Sequence, residues 1–317
     1  MPPRRVIGID AGGTKLLGGV VDQGLVVHHR VRRTWRGSDR GETLDIFVEA
    51  VEEVRAAAPD VMAVGFGIPA LVEWETGVSR WSTHLPLEDV RFRDVMSERL
   101  GLPVVVDNDA NAALLAEARF GAARDLSHAV LVALGTGIGS GLLLDGRVYR
   151  GALGFASEIG HMVVDLHGPE CQGQCPGRGC LEVLASGSRI GRDGVETALA
   201  RSDSELGRRA AGGREITGAI VTELAHHGDP AARDVLAEVG RRLGYGLVSV
   251  VNVFNPEVIV LGGGALAAGE LLLGPAREVV AARALPPMRD HVQILPAHFG
   301  DEAGMLGAAL LAFDSAS

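Results

Sequence analysis

The sequence predicts an α/β fold arranged as two domains, and three observations carry that expectation. A strand, glycine turn, strand pattern near the N-terminus returns about 125 residues later, which implies two related halves. Short apolar runs of strand length alternate with segments whose apolar residues recur at helical spacing. The 317 residues exceed what one simple core organises, and domains of about 150 residues are the natural division. With 47% hydrophobic residues the chain is not a disordered one.

Residues 5–34 read as strand (RVIGID), glycine turn (AGGT), strand (KLLGGVVD), tight turn (QG) and strand (LVVHHRV), an antiparallel start. Leu44, Phe47, Val48, Val51 and Val54 then fall at helical spacing over 43–58, ahead of Pro59. A buried strand is expected over 61–68, closed by Pro69, followed by an irregular segment over 72–86. A helix over 92–100 and a buried strand over 103–106 follow, and residues 107–110 start an alanine-rich helix running to about 120. From His128 the opening pattern repeats: strand, glycine turn, strand, Asp-Gly turn, strand. Helices are expected over 187–200, 214–226 and 230–253, then a strand over 258–261, a strand over 292–295 and a final alanine-rich helix over 303–313. No linker or low-complexity stretch separates the halves. The expected domains are 1–122 with 300–317, the last helix returning to the first domain, and 123–299, with hinges near 121–125 and 299.

Charge and hydropathy exclude several classes. The net charge is −10 and no basic run stands out, which disfavours a nucleic-acid surface. The first apolar run stops at Asp10, too soon for a signal peptide, and no uncharged run approaches ~20 residues, so no membrane partner is expected and the location is cytoplasmic.

Three groups of residues carry chemistry. The first is a set of glycine turns at which backbone can approach a phosphate: Asp10, Gly12, Gly13, Thr14 and Lys15; Gly135, Thr136 and Gly137; and Gly262, Gly263 and Gly264. GIDAGGTK is near a P-loop, but Thr and Lys are transposed and a strand follows instead of a helix. VGFGIPA at 64–70 mimics a dinucleotide fingerprint, yet Pro69 and the polar run after it open no helix. One glycine turn is an ordinary hairpin; two copies and a third favour nucleotide binding. Asp10 is placed to hold Mg²⁺ through water, and Thr14 to donate to a phosphate. The second group is VVDNDAN at 105–111: its acids and amides serve as helix caps, or the surplus places Asp109 as a general base for a substrate hydroxyl. The third is 157–182, which holds every cysteine of the chain, Cys171, Cys175 and Cys180, with Glu158 and Glu182 near its ends. Buried thiols, a redox pair and zinc ligands compete; the clustering and the Pro, Gly and Gly between Cys175 and Cys180 favour structural Zn²⁺, with His161 or His167 as fourth ligand. The two glutamates are surface or helix-start acids on the plain reading, and site residues on the other.

Taken together these segments resemble the ROK family of sugar kinases and repressors, over essentially the whole chain. DAGGTK at Asp10 is similar to the family's DxGGTK loop and LGTGIGSG at Leu134 to its second phosphate loop; VIVLGGG at Val258 resembles the adenosine-side turn. VDNDANAA resembles VENDANAA, SEIGH resembles GEIGH, and GCLE matches the end of the zinc motif. The resemblance implies an actin-like (ribonuclease H-like) ATPase fold with a ligand cleft between two domains. It implies Asp109 as catalytic base; Gly67, His84, Asn108, Asp109, Glu158, His161 and Glu182 on the sugar; and His161, Cys171, Cys175 and Cys180 on zinc. ATP, Mg²⁺ and a sugar are the implied ligands, and a homodimer or homotetramer the implied assembly.

The chain also departs from the family. Cys171 stands four residues before Cys175 where CxC is common, and Pro176 replaces a glycine. Ser157 and Ala70 occupy glycine positions, and His84 falls where family glucokinases carry Asn. The expected activity is phosphorylation of a hexose 6-hydroxyl by ATP. The alternatives are an amino sugar such as kanosamine or N-acetylmannosamine, a cyclitol, a sugar-responsive regulator, or a non-catalytic sugar binder. Family repressors carry a winged helix before the first phosphate loop, which here begins by residue 10, and a non-catalytic binder would need damaged phosphate loops where these are whole.

Overall fold

The computed structural model describes residues 4–12, 15–35, 37–82 and 85–316. The chain opens with β1 (Arg5–Ala11), β2 (Lys15–Asp22) and β3 (Val27–Thr34), paired antiparallel as their turn residues predict. Helix α1 (Arg40–Ala56) follows, its N-cap Asp39 accepting the Glu42 N–H. Strand β4 (Val64–Ile68) leads into β5 (Leu71–Glu73) and β6 (Val78–Trp81). These last two pair as a small antiparallel sheet where an irregular segment is predicted; the strands are short and their register shifts, so alternation is too brief to read. Next come α2 (Phe92–Leu100), β7 (Val104–Asn108) and α3 (Asp109–Phe120).

The repeat then appears as β8 (Ala129–Leu134), β9 (Ile138–Leu144) and β10 (Arg147–Val148). Helices α4 (Leu181–Ala185), α5 (Gly187–Ala200), α6 (Glu205–Ala211), α7 (Gly218–His226) and α8 (Pro230–Phe254) succeed one another. Asp229 caps α8 through the Ala232 N–H and Pro230 opens it, the arrangement the sequence signals. Strand β11 (Val258–Gly262), α9 (Glu270–Arg283), α10 (Met288–His291), β12 (Gln293–Pro296) and α11 (Ala303–Ser315) complete the chain.

The two five-stranded sheets have matching orders, β3-β2-β1-β4-β7 and β10-β9-β8-β11-β12, so the repeat seen in sequence is a repeat of topology. The chain divides into two compact units: residues up to 131 with 141–157 and 297 onward, and 132–140 with 158–296.

In the first unit the sheet is buried on both faces. Ile7, Leu16 and Val20 join one cluster while their neighbours Val6, Leu17 and Val21 join the other, as period-two alternation requires. The first cluster holds three rings, Phe47 of α1, Phe66 of β4 and Phe92 of α2, of which Phe92 meets both others edge-to-face, with the Phe66 and Phe92 centroids 5.2 Å apart. Burying one such side chain contributes about 1.5–3 kcal/mol. On the opposite face α11 is buried along its length from Ala303 to Ala312. Its small residues permit close approach: a Cβ at Gly65 of β4 would meet the Ala308 carbonyl at 1.8 Å. Glu117 of α3, fully buried, accepts N–H bonds from Ala122, His298 and Phe299 and so fixes where the chain re-enters this unit. In the second unit the 25-residue α8 is the central element, with Leu236, Val239, Leu243, Leu247 and Val250 fully buried. No helix among the described residues is long and apolar enough to cross a membrane.

Candidate functional site

In the first unit, β1, β4 and β7 run parallel, and their register aligns Asp10 with Gly67 and Gly67 with Asp107. Two sequence-predicted site positions, Asp10 and Gly67, therefore meet Asp107, the residue before the predicted Asn108 and Asp109, at the carboxyl ends of parallel strands, where ligands of α/β sheets bind. Gly67 is needed for packing as well: a Cβ there would lie 3.2 Å from the Asp109 Cα and 3.3 Å from the Ala112 Cβ. The partly buried Asp10 carboxylate lies against the first turn of α11, in space that a side chain at Gly304 would fill. Burial pushes the Asp10 carboxyl up to about 8, and the nearby charges of Asp109 and Asp301 add to the effect. Gly12 and the exposed Lys15 flank the turn; Gly13, Thr14 and His84 lie outside the described residues.

The polar start of α3 separates into distinct tasks. Asn108 is the N-cap, its Oδ1 accepting from the N–H groups of Ala110 (2.9 Å) and Asn111 (3.3 Å), while Nδ2 donates to the Ala70 carbonyl. Asp109 is the first helical residue and not the cap, and its Oδ1 accepts from the Ala110 N–H at 2.8 Å. Asp107, 1% exposed, receives Arg150 Nε at 2.8 Å and Nη2 at 2.7 Å, Asn111 Nδ2 at 3.1 Å and the Asn108 N–H at 2.8 Å. Burial pushes the Asp107 carboxyl up, with Arg150 pulling the other way. Arg150 in turn stacks on Trp74, 3.6 Å from the ring centroid. Asp301, Arg150 and Trp74 are not visible as site neighbours in the sequence. A carboxylate at the end of a buried strand was the one signal for Arg150, because such a charge demands a cation.

In the second unit the other two glycine turns come together. The Gly187 N–H donates to the Gly135 carbonyl, and a Cβ at Gly263 (φ 87°) would lie 2.4 Å from the Leu134 carbonyl oxygen. Gly262 ends β11 and Gly264 starts a 3₁₀ turn, so 135–137 and 262–264 form one glycine-walled region. Glu182, buried in the first turn of α4, accepts the Ile138 N–H through Oε2 at 2.8 Å. Its Oε1 is buried with no hydrogen-bond partner among the described residues, a cost of about 1–3 kcal/mol that a ligand hydroxyl would relieve.

His161, Cys171, Cys175 and Cys180 place one ligand atom each within 4.8 Å of all the others. The Cys171 Sγ to His161 Nδ1 distance is 3.7 Å, against about 3.6 Å for adjacent ligands of tetrahedral zinc. Cys171 thus joins the cluster despite its lengthened spacing, and His161, not His167, is the fourth member. Burial first, and then the neighbouring thiols, push Cys171 up to about 12; crowded thiols of this kind deprotonate when a cation is present to balance them. The Gly177 N–H donates to Cys175 Sγ at 3.4 Å, a bond that suits a metal thiolate. The residues therefore fit zinc. His161 turns Nδ1 to the cysteines and Nε2 toward Glu158, 3.9 Å from Oε2.

The duplicated sheet with its glycine turns is the actin-like ATPase fold. The ROK family model matches residues 6–315, and the chain belongs to the ROK family. It is 34% identical over 312 residues to a glucokinase of Thermotoga maritima, covering 98% of this chain and 97% of that one. It is also 32% identical over 276 residues to a putative xylose repressor of a Caldicellulosiruptor species, covering 84% of this chain and 67% of the repressor. The crystal structure of a ROK family glucokinase from Streptomyces griseus in complex with glucose and AMPPNP superposes with a TM-score of 0.89 at 33% identity, over 98% and 99% of the two chains.

Proposed function

We propose that this chain is an ATP-dependent sugar kinase that phosphorylates the 6-hydroxyl of a glucose-like hexose, with Asp109 as general base. The observation that carries the reading is the nearness of the Asp109 carboxylate, at the start of α3, to that of Asp10, at the end of β1, two strands from β7 in the same parallel run and beside a glycine turn. The glucose and AMPPNP held by the Streptomyces griseus relative support it.

In this reading the Asp109 carboxylate takes the proton of the sugar hydroxyl as that oxygen bonds to the γ-phosphorus, and the bond to the β-phosphate oxygen breaks to release ADP. Asn108, Glu158, His161, Glu182 and the backbone at Gly67 hold the sugar, whose hydroxyls suit carboxylate and amide acceptors. His84 remains the proposed specificity difference. The backbone at Gly12, Gly13, Gly135 to Gly137 and Gly262 to Gly264 takes the nucleotide, with Thr14 and Lys15 on the phosphates. Asp10 would hold Mg²⁺ through water, and that cation, when bound, offsets phosphate charge. His161, Cys171, Cys175 and Cys180 would hold a structural zinc, which would fix the His161 tautomer with Nδ1 on the metal and leave Nε2 for the substrate. A homodimer or homotetramer goes with the same reading.

A coupled assay over glucose, mannose, fructose, glucosamine, kanosamine and N-acetylmannosamine tests the substrate class. Asp109→Asn should lower kcat by about 10²- to 10⁴-fold while sugar binding, followed by calorimetry, persists. Turnover within tenfold of wild type would remove Asp109 from the role of base. The match to a xylose repressor supplies a second reading, a sugar-responsive regulator. Sugar binding with no phosphoryl transfer on any of the six would favour it.

A further inference from the structure

The lengthened spacing between Cys171 and Cys175 does not open the cysteine cluster, since all four ligand atoms still converge. The added length must therefore be accommodated elsewhere, and residues 171–175 show where. Gln172 reaches out of the knuckle and its Nε2 donates to the Thr136 carbonyl at 3.1 Å. Its Oε1 accepts Arg192 Nη2, from α5, at 3.4 Å. An acceptor on one side and a guanidinium on the other fix the amide in this orientation and not the flipped one. Thr136 is the middle of the second glycine turn.

A second residue of the same knuckle grips that turn. Glu182, two residues after Cys180, accepts the Ile138 N–H. Gly137 lies between the two side chains: a Cβ there would sit 2.2 Å from Glu182 Oε2 and 3.6 Å from Gln172 Nε2. The rest of the turn is tied by the Gly135 N–H to the Gly137 carbonyl and by the Gly187 N–H to the Gly135 carbonyl, each 2.9 Å. These bonds hold the backbone, and among the described residues none of them uses the N–H of Thr136 or Gly137.

We propose that Gln172 is a positioning residue for nucleotide, bracing the Thr136–Gly137 turn from the cysteine knuckle opposite the Glu182 brace. The inference rests on the reading of this turn as an ATP phosphate site. It gives the altered cysteine spacing a purpose: two extra positions between the ligands carry a side chain to the turn without disturbing the cluster.

The test compares wild type with Gln172→Ala and Gln172→Glu, the latter keeping length while losing the donor, and with Gln174→Ala, an exposed change in the same loop. Titration calorimetry measures Kd for MgATP, steady-state kinetics the two KM values, and elemental analysis the zinc per chain. Gln172→Ala should bind MgATP about fivefold more weakly, the loss expected of one hydrogen bond, and Gln172→Glu at least as much more weakly because its carboxylate also repels the phosphates, with sugar KM and zinc content unchanged. Gln174→Ala should match wild type. An unchanged Kd in Gln172→Ala, an equal rise in sugar KM, a parallel loss of zinc, or the same weakening in Gln174→Ala would each overturn the inference. If folded, zinc-loaded wild type takes up no MgATP, the kinase reading falls with it; if wild type binds and Gln172→Ala binds equally, the bracing role alone falls.

Discussion

Ser157 holds a backbone conformation, φ 75°, that glycine adopts freely and other L-residues adopt at a cost of about 1–2 kcal/mol. It stands immediately before Glu158, at the position where the resemblance of SEIGH to GEIGH implies glycine. The conflict makes a specific expectation. Ser157→Gly should leave stability unchanged or raise it by up to about 1 kcal/mol, because relief of strain is offset by the greater freedom of glycine in the unfolded chain. Ser157→Val should cost about 2 kcal/mol or more, since a β-branched side chain tolerates this region least. Urea denaturation of the three proteins measures both; a Ser157→Val variant as stable as wild type would show that the residue relaxes out of the left-handed region.

The start of α3 depends on an element outside it. Asp107, the last residue but one of β7, is buried, and its charge is balanced by Arg150, contributed from beyond β10, with Trp74 packed on the guanidinium. Removing one partner leaves the other uncompensated, so Arg150→Ala should destabilise by about 3–5 kcal/mol. Pairing it with Asp107→Asn should restore part of that loss, with a coupling of about 1–3 kcal/mol in urea denaturation, whereas additive effects would mean that the two charges act separately. Arg150→Lys should recover the charge and not the two-pronged contact or the stacking. This pair also shows what sequence can and cannot yield. Helices α2 and α5, the antiparallel start and the repeated hairpin were legible because local periodicity and turn residues determine them. Helix α9 was not: Pro275 interrupts the helical signal, and the helix persists because it packs closely on α8, where a Cβ at Gly240 would meet the Leu272 carbonyl at 2.2 Å. Likewise the Cys and His cluster, Cys171 included, was legible from residue type and clustering, while the choice between His161 and His167 was not legible from spacing, because residue type alone does not show which ring reaches the cysteines.

At the scale of the molecule the chain divides into two compact units, and the cysteine knuckle belongs to the second. Residues 159–182 are drawn together by the convergence of His161, Cys171, Cys175 and Cys180, by the Val163–Cys180 and Glu170–Arg178 bridges, and by the Leu181 N–H donating to the Met162 carbonyl. Through Gln172 and Glu182 the same segment supports residues 136–138. Few residues of 163–179 are buried, so a cation held by the four side chains would replace apolar burial as the organising force there. The purified protein should therefore carry about one zinc per chain, and Cys171→Ser should lower its occupancy as far as Cys175→Ser does. Removing the metal with a chelator should raise hydrogen exchange in 159–182 and in 135–138, where protection depends on the knuckle. The parallel strands β1, β4 and β7, buried in the other unit on both faces, should keep their protection. If chelation leaves exchange in 159–182 unaltered, or loosens both units alike, the cluster is a set of buried thiols and not a metal-organised segment of the second unit.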